Sequence, residues 1–472
     1  MQLRIRPNTS AVLSDATLQA NLKPALEKSL LSRDRAVAEV SNWEELRQHA
    51  HDVKAHTLSR LDHYLQELER KVMAQGGKVV WADTGAEALE FIVGLLQERE
   101  IKKVAKSKTM LGEEIHLNEE LEKAQFDPVE TDLGEYIIQL SRETPFHIVT
   151  PALHKSKEEV VELFGRELEM PPTDDVEAIT ATARAVLRRH FLTAGAGITG
   201  VNFGVAETGT LVVVENEGNV RLCASLPEVH IAIMGIEKVI PRARDLAVFL
   251  KLLSRSATGQ KSTSYVNFIN GPRREGEWDG PREFYLVLVD NGRSRILADP
   301  ELRQTLACIR CGACLNVCPV YQRIGGHAYG STYQGPIGAI LTPQLTSAEE
   351  APEHPFASSL CGACYETCPV KIEIPHILLK LRERVQRSRQ RLARHLPLEA
   401  WAMQFWAWAM SSPGRYGFLG KLVRRVQPYF VREGRMRVPM PPFSGWDRYR
   451  DLPPLPEKSF REQFHALDKE EK

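Results

Sequence analysis

The sequence predicts an α/β domain followed by an α-helical module, on three observations. Short apolar runs alternate with helical periodicity between residues 77 and 290, and strand, helix, strand, helix in that order builds a parallel sheet flanked by helices. Two cysteine runs follow, Cys308-Ile-Arg-Cys311-Gly-Ala-Cys314-Leu-Asn-Val-Cys318-Pro319 and Cys361-Gly-Ala-Cys364-Tyr-Glu-Thr-Cys368-Pro369. Helical patterns stand before the first run and after the second, with a long insertion between, so the cysteine module is expected to be helical.

In chain order, Leu18 to about Gln75 reads as helices, with apolar residues at three- and four-residue spacing, as in Leu58-Ser-Arg-Leu-Asp-His-Tyr-Leu. Gly77-Lys-Val-Val-Trp-Ala82 reads as a buried strand, and Asp83 or Thr84 as the N-cap of the helix after it. Lys102 to Lys106 repeats the strand step, and Glu113 to Lys123 is helical. Phe126 to Asp132 and Phe146 to Thr150 are further strand candidates, and Asp175 to Phe191 is a helix. Leu211 to Cys223 reads as a hairpin turning at Asn216 to Asn219. His230 to Met234 and Phe284 to Asp290 are buried strands, and Asn291-Gly292 turns the chain. Arg295 to Leu306 reads as the helix that delivers the first cysteine, and Ile377 to Gln386 as the helix beyond the last. The expected divisions are a helical segment (1–75), an α/β domain (76–295), a helical cysteine domain (296–385) and a basic, Trp- and Pro-rich C-terminal segment (386–472).

Composition narrows the function. Formal net charge is zero over 472 residues, so there is no global basic field for nucleic acid. The start, Met1-Gln-Leu-Arg-Ile-Arg-Pro-Asn, has no apolar signal core, and no apolar run of about 18 residues predicts a membrane span. Seven of eight cysteines lie in the two runs, which fits a reducing cytoplasm where thiolates stay available for metal.

The first run is C-x₂-C-x₂-C-x₃-C-P, the spacing that wraps three corners of a [4Fe–4S] cubane and sends the fourth thiolate to another cluster. Zinc sites show paired C-x₂-C without the C-P extension. The second run keeps C-x₂-C-x₃-C-P but has Ser358 where its leading cysteine would be. Crossed pairing gives Cys308, Cys311, Cys314 and Cys368 to cluster one, and Cys318, Cys361 and Cys364 to cluster two. Cluster two is then one thiolate short. Ser358, a distant group or water fills the corner, or the cluster has three irons ([3Fe–4S]). Cys223 is the only spare thiol, on an expected buried strand.

Other motifs are weaker. Gly195, Gly197 and Gly200 form G-x-G-x-x-G, but a helix precedes them and a β-branched segment follows, the reverse of a dinucleotide site. A turn with close backbone approach is the plainer reading. Lys261-Ser262 lacks the glycine of a P-loop. Glu207, Asn202, Arg221 and His230 are polar residues in apolar surroundings, each a candidate pocket residue and each more simply a satisfied core group. The basic stretch Lys380 to Arg394 and Trp401-Ala-Met-Gln-Phe-Trp-Ala-Trp-Ala-Met410 offer a face for a partner or a membrane surface.

With these blocks laid out, the chain resembles the LutB family, the iron–sulphur subunit of the L-lactate utilisation system. The carriers are Gly197 to Thr210, Glu217 to Cys223, Leu226 to Lys238, Cys308 to Cys314 and Tyr333 to Ala339. The resemblance implies a LUD domain like the open α/β sheet of CoA-transferase and sugar-isomerase folds, then a two-cluster ferredoxin and a family-specific C-terminal segment. It implies oxidation of L-lactate to pyruvate jointly with two sister proteins, enabling growth on lactate. Likeness to CoA transferases does not carry their activity. The first expectation is an electron-transfer subunit. The alternatives are an enzyme, using an open-coordination cluster or a LUD pocket around Glu207 to bind a 2-hydroxy acid, and a docking module with structural clusters.

Overall fold

The computed structural model describes residues 3–392, 398–436 and 452–470. Two compact units divide the chain, Met1–Ser388 and Arg389–Lys472.

The first unit is built on a sheet of six parallel strands. They are β1 (Lys78–Ala82), β2 (Lys103–Lys106), β3 (Asp127–Glu130), β4 (Ala196–Gly200), β7 (Val229–Gly235) and β10 (Glu283–Val289), ordered β1-β10-β7-β4-β2-β3. The central strands β7 and β10 are apolar almost throughout because helices cover both faces of the sheet. One face is packed by the helix Gly85–Glu98, whose Ala88, Ile92 and Leu95 are buried. The other is packed by the helix Leu61–Ala74 through Leu61, Leu65, Leu68 and Val72, the three- and four-residue spacing of a buried stripe. Thr84 caps the first of these helices, accepting the Glu87 N–H at 3.2 Å.

A second sheet, ordered β8-β5-β6-β9, joins β5 (Phe203–Val205), β6 (Thr210–Glu215), β8 (Val239–Ile240) and β9 (Tyr265–Ile269). It shares one apolar cluster with the N-terminal helices Ala16–Ala38 and Trp43–Ser59 and with the cysteine module. The six-stranded sheet and the cysteine module are thereby parts of one core-bearing unit.

Five segments differ from the sequence reading. The turn expected over Gly195 to Gly200 is instead the inner strand β4, Ala196–Gly200, paired with β2 and β7. Phe146 to Thr150 is not a strand. Its backbone folds around the His147 ring, whose Nδ1 accepts the N–H groups of Val149 (3.1 Å) and Thr150 (3.2 Å). Phe146 also lies so close to the cysteine module that a Cβ at Gly326 would stand 1.7 Å from its carbonyl oxygen. The expected hairpin ending at Cys223 is strand β6 followed by a helix, Asn219–Ser225. The Glu215 carboxylate accepts the N–H groups of Val220 (2.7 Å) and Arg221 (3.0 Å), which starts that helix where a turn was expected. The helix expected over Glu113 to Lys123 is two short ones, Met110–Glu114 and Leu117–Lys123, parted at His116 with φ +57°. The helix expected over Arg295 to Leu306 stops at Ala298, because Asp299 precedes Pro300 and is held extended. A 3₁₀ turn, Arg303–Ala307, then delivers the first cysteine.

The glycine-rich strand β4 has a steric explanation. A Cβ at Gly197 would stand 1.8 Å from the Cys223 carbonyl oxygen. Gly197→Ala is therefore expected to destabilise the unit by about 3 kcal/mol, read as a lower urea midpoint at unchanged slope.

The second unit has helices Leu398–Met410, Pro413–Val426 and Phe460–Glu470, with a short antiparallel pair, Val431–Arg432 and Arg435–Met436. Trp401, Trp406 and Trp408 are exposed on its first helix. No helix among the described residues is long and apolar enough to cross a membrane.

Candidate metal centre

The two cysteine runs fold alike, residue for residue at a spacing of fifty. Arg310 and Leu360 are left-handed, at φ +60° and +56°. Gly312 and Gly362 follow at φ +75° and +88° and each opens a one-turn helix, Ala313–Val317 and Ala363–Thr367. Two left-handed residues flanking Cys311 or Cys361 curl the backbone inward, and glycine takes the second at no steric cost. Cys318 and Cys368 leave their helices extended, each followed by proline.

The likeness extends to the missing cysteine. The Arg310 N–H donates to Cys308 Sγ at 3.4 Å, and the Leu360 N–H donates to Ser358 Oγ at 3.1 Å. Ser358 therefore holds its oxygen where Cys308 holds its sulphur.

The electrostatics sort the thiols into neighbours. Burial pushes the Cys311 thiol up, and Cys368 and Cys308 beside it push further. Burial likewise raises Cys314, with Cys311 and Cys308 adding most and then Cys364 and Cys368, so Cys314 stands near both groups. Cys368 is pushed up to about 11 by burial, with Cys308 adding to it. Burial raises Cys364 to about 12, with Cys318 and Cys361 as its thiol neighbours, and raises Cys318, which meets Cys361. All seven are free thiols; Cys361 is exposed and Cys308 half-buried. Buried, mutually repelling sulphurs are poor thiolates without a cation among them. Backbone N–H groups also point at sulphur, including Ile372 N–H on Cys368 Sγ at 3.4 Å. Seven converging free thiols with N–H donors toward sulphur fit iron–sulphur ligation.

Cys223 is not among these seven. It is buried against Leu187 and Phe191 in a separate apolar cluster, its thiol 3.4 Å from Thr131 Oγ1 and pushed up to about 12 by burial.

The other candidates divide. Glu207 accepts the Ala243 N–H at 2.9 Å at the start of the helix Ala243–Thr258. His230 is fully buried, pairs with Thr199 Oγ1 at 2.9 Å and is held neutral by burial. Lys261 pairs at the surface with Glu39. Asn202 alone of the four polar candidates lines a cavity of about 390 Å³, and its Oδ1 accepts the Val214 N–H. Glu207, Arg221 and His230 are not in that wall.

Sequence reasoning missed a buried ion network between the sheet and the cysteine module. Arg293 grips Glu114 with both terminal nitrogens (2.8 and 2.7 Å) and donates through Nε to Glu237 (2.7 Å). Arg310 reaches Glu237 at 3.3 Å, with its guanidinium 4.7 Å from the Tyr333 ring centre, and Tyr333 donates to Glu114 at 2.6 Å. Lys54 donates to the Glu237 carbonyl at 2.5 Å. No periodic spacing links these positions; only Arg310, inside the first run, carried a local signal.

Comparison with known proteins agrees with this arrangement. A LUD domain model matches residues 65–289, and a 4Fe-4S dicluster domain model matches 304–372. A model of the C-terminal domain of lactate utilisation protein B matches 380–469. Lactate utilization protein B of Shouchella clausii is 45% identical over 97% of this chain and 96% of its own length. The chain belongs to the lactate utilization protein B family. The Bacillus subtilis member is 42% identical, covering 97% of this chain and 95% of its own. A solved DUF162 family protein from Deinococcus radiodurans aligns at 14% identity and a TM-score of 0.25, over 48% of this chain and 98% of its own, too remote to bear on the fold. Membership places the protein in lactate utilisation with iron–sulphur chemistry.

Proposed function

We propose that the chain is the iron–sulphur electron-transfer component of a system that oxidises L-lactate to pyruvate together with sister subunits, in a reducing cytoplasm. The carrying observation is the gathering of seven free cysteines in and around one apolar cluster, with Cys361 at the surface. Clusters held there supply one-electron transfer. In this reading Cys308, Cys311, Cys314 and Cys368 hold one [4Fe–4S] cluster, and Cys318, Cys361 and Cys364 hold a second. The neighbour relations of the thiols support it. The chain's own residues exclude water from the first cluster and present N–H groups to its sulphurs. The exposed Cys361 gives the second cluster a short path to a redox partner. The all-parallel sheet supports the CoA-transferase and sugar-isomerase likeness of the LUD part.

The test is anaerobic. The purified chain alone is expected not to turn over lactate, and its clusters are expected to become reduced when lactate and the sister subunits are added. Turnover of lactate by the chain alone would overturn the proposal.

For the fourth corner of the second cluster, we infer that Ser358 Oγ is the ligand, on its match to Cys308 Sγ. Ser358→Ala is expected to yield a three-iron resonance signal on brief exposure to air, whereas Ser358→Cys is expected to keep four irons. Identical spectra for Ser358→Ala and the parent would rule Ser358 out.

A further inference from the structure

The cavity of about 390 Å³ lies at the carboxyl ends of the parallel strands, between Lys108 beyond β2, Gly200 of β4 and Gly235 of β7. Open parallel sheets bind ligands at this end, because loops and helix starts converge there. Cys311 and Arg310 of the first cysteine run complete the wall, so whatever fills the cavity lies against the first cluster's ligands.

The wall is polarised. At the Arg310 end of the wall the basic side chains Lys238, Arg293 and Arg310 face the Glu237 carboxylate, and Lys54 and Glu114 join the same network outside the wall. Arg293 and Arg310 are tied to those carboxylates. Lys238 is half-buried and lines the cavity near Glu237 and Arg310, with no direct hydrogen bond or ion pair among the described residues, and burial pushes its ammonium down to about 7. Two donors in the same wall, Arg310 Nη1 and Thr258 Oγ1, are buried without partners. Buried donors left unmet are costly unless an acceptor from a ligand meets them. At the other end stand Asp132, Glu217 and Lys108, and burial pushes the Glu217 carboxyl up to about 7.

We propose that this cavity binds a small monocarboxylate of the 2-hydroxy or 2-oxo class, its carboxylate held by Lys238 and its 2-oxygen by Arg310 Nη1 or Thr258 Oγ1. The choice of acid rests on the lactate reading above. The cationic end and its unmet donors do not depend on it. A three-carbon acid fills only the Arg310 end of the cavity, beside Cys311. Acetate and succinate lack the 2-oxygen that Arg310 Nη1 or Thr258 Oγ1 would meet.

The test uses the full chain, purified anaerobically with its clusters. L-lactate, pyruvate, acetate and succinate are titrated calorimetrically, and carboxyl-¹³C pyruvate is examined by electron–nuclear double resonance on the reduced protein. Lactate or pyruvate is expected to bind more tightly than acetate or succinate and to show ¹³C coupling to a cluster. Lys238→Met is expected to weaken that binding on the order of tenfold or more, and Thr258→Val to weaken it less, at unchanged iron content. No binding of either acid, equal binding of acetate or succinate, or a Lys238→Met variant that shifts a cluster potential while binding normally would each overturn the proposal. Failure of the electron-transfer reading registers separately, as clusters that lactate and the sister subunits cannot reduce whether or not the acid binds.

Discussion

Replacing Cys368 by Ala is expected to remove about half of the bound iron and to extinguish the cluster whose other three cysteines lie in the first run, fifty or more residues away. A run-by-run pairing would instead take Cys368 from the cluster of its own run. Cys368 is buried beside Cys308, and its carbonyl accepts two bonds from Arg47, at 3.0 and 2.9 Å, on the helix Trp43–Ser59. Cys318→Ala is the mirror test and is expected to lose the cluster bound near Cys361. Iron and sulphide counts with electron paramagnetic resonance separate the outcomes. The stability effect should be large as well. Structural metal sites contribute on the order of 10 kcal/mol to small domains, and the cysteines here line the apolar cluster that joins their module to the N-terminal helices. Loss of the first cluster is expected to open residues 304–372 to limited proteolysis.

Arg293→Met is expected to destabilise the first unit by about 3–5 kcal/mol, because it strands Glu114 and Glu237 as buried carboxylates. The guanidinium is fully buried and joins three places: Glu114 after β2, Glu237 after β7, and through them Tyr333 and Arg310 of the cysteine module. Urea unfolding followed by far-ultraviolet dichroism measures the cost. The same network sets an acid limit. Burial alone would raise Glu237, but Arg293, Arg310 and Lys238 outweigh it and hold the carboxyl down to about 2. A carboxyl depressed in the folded state contributes stability that is fully present above its unfolded pKa of about 4.3, and it loses that contribution as pH falls toward 2. Glu237→Gln is expected to flatten the stability profile over that window while lowering stability at neutral pH.

How much of this was legible in the sequence follows from what each signal measures. The central strands β7 and β10 were legible because a doubly covered parallel sheet demands near-continuous apolar runs, and β1, β2 and β3 because short apolar steps alternate there with helical periodicity. The segment Phe146 to Thr150 carries the same apolar signal for a different reason: it is buried by the cysteine module, where burial asks for apolar side chains but not for strand pairing. Cys223 was misplaced on a strand because the Glu215 carboxylate, a tertiary-level start signal, makes the following residues helical.

The sequence by itself determined the ligand chemistry. Metal-ligand spacing is local, so three cysteines on one tight loop are fixed by a dozen residues and readable without a fold. The family blocks determined membership in the same way. Tertiary structure alone decided three things. It gave Ser358, which spacing had already put in the leading cysteine's position, the same N–H contact that Cys308 Sγ has, because left-handed Arg310 and Leu360 turn their N–H groups back onto both side chains. It joined Arg293, Glu114, Glu237 and Arg310 across nearly two hundred positions, since buried charge is stabilised by geometry that only the folded chain supplies. And it put Cys311 in the wall of the cavity at the strand ends, because a parallel sheet directs all its carboxyl ends to one side and the cysteine module closes that side.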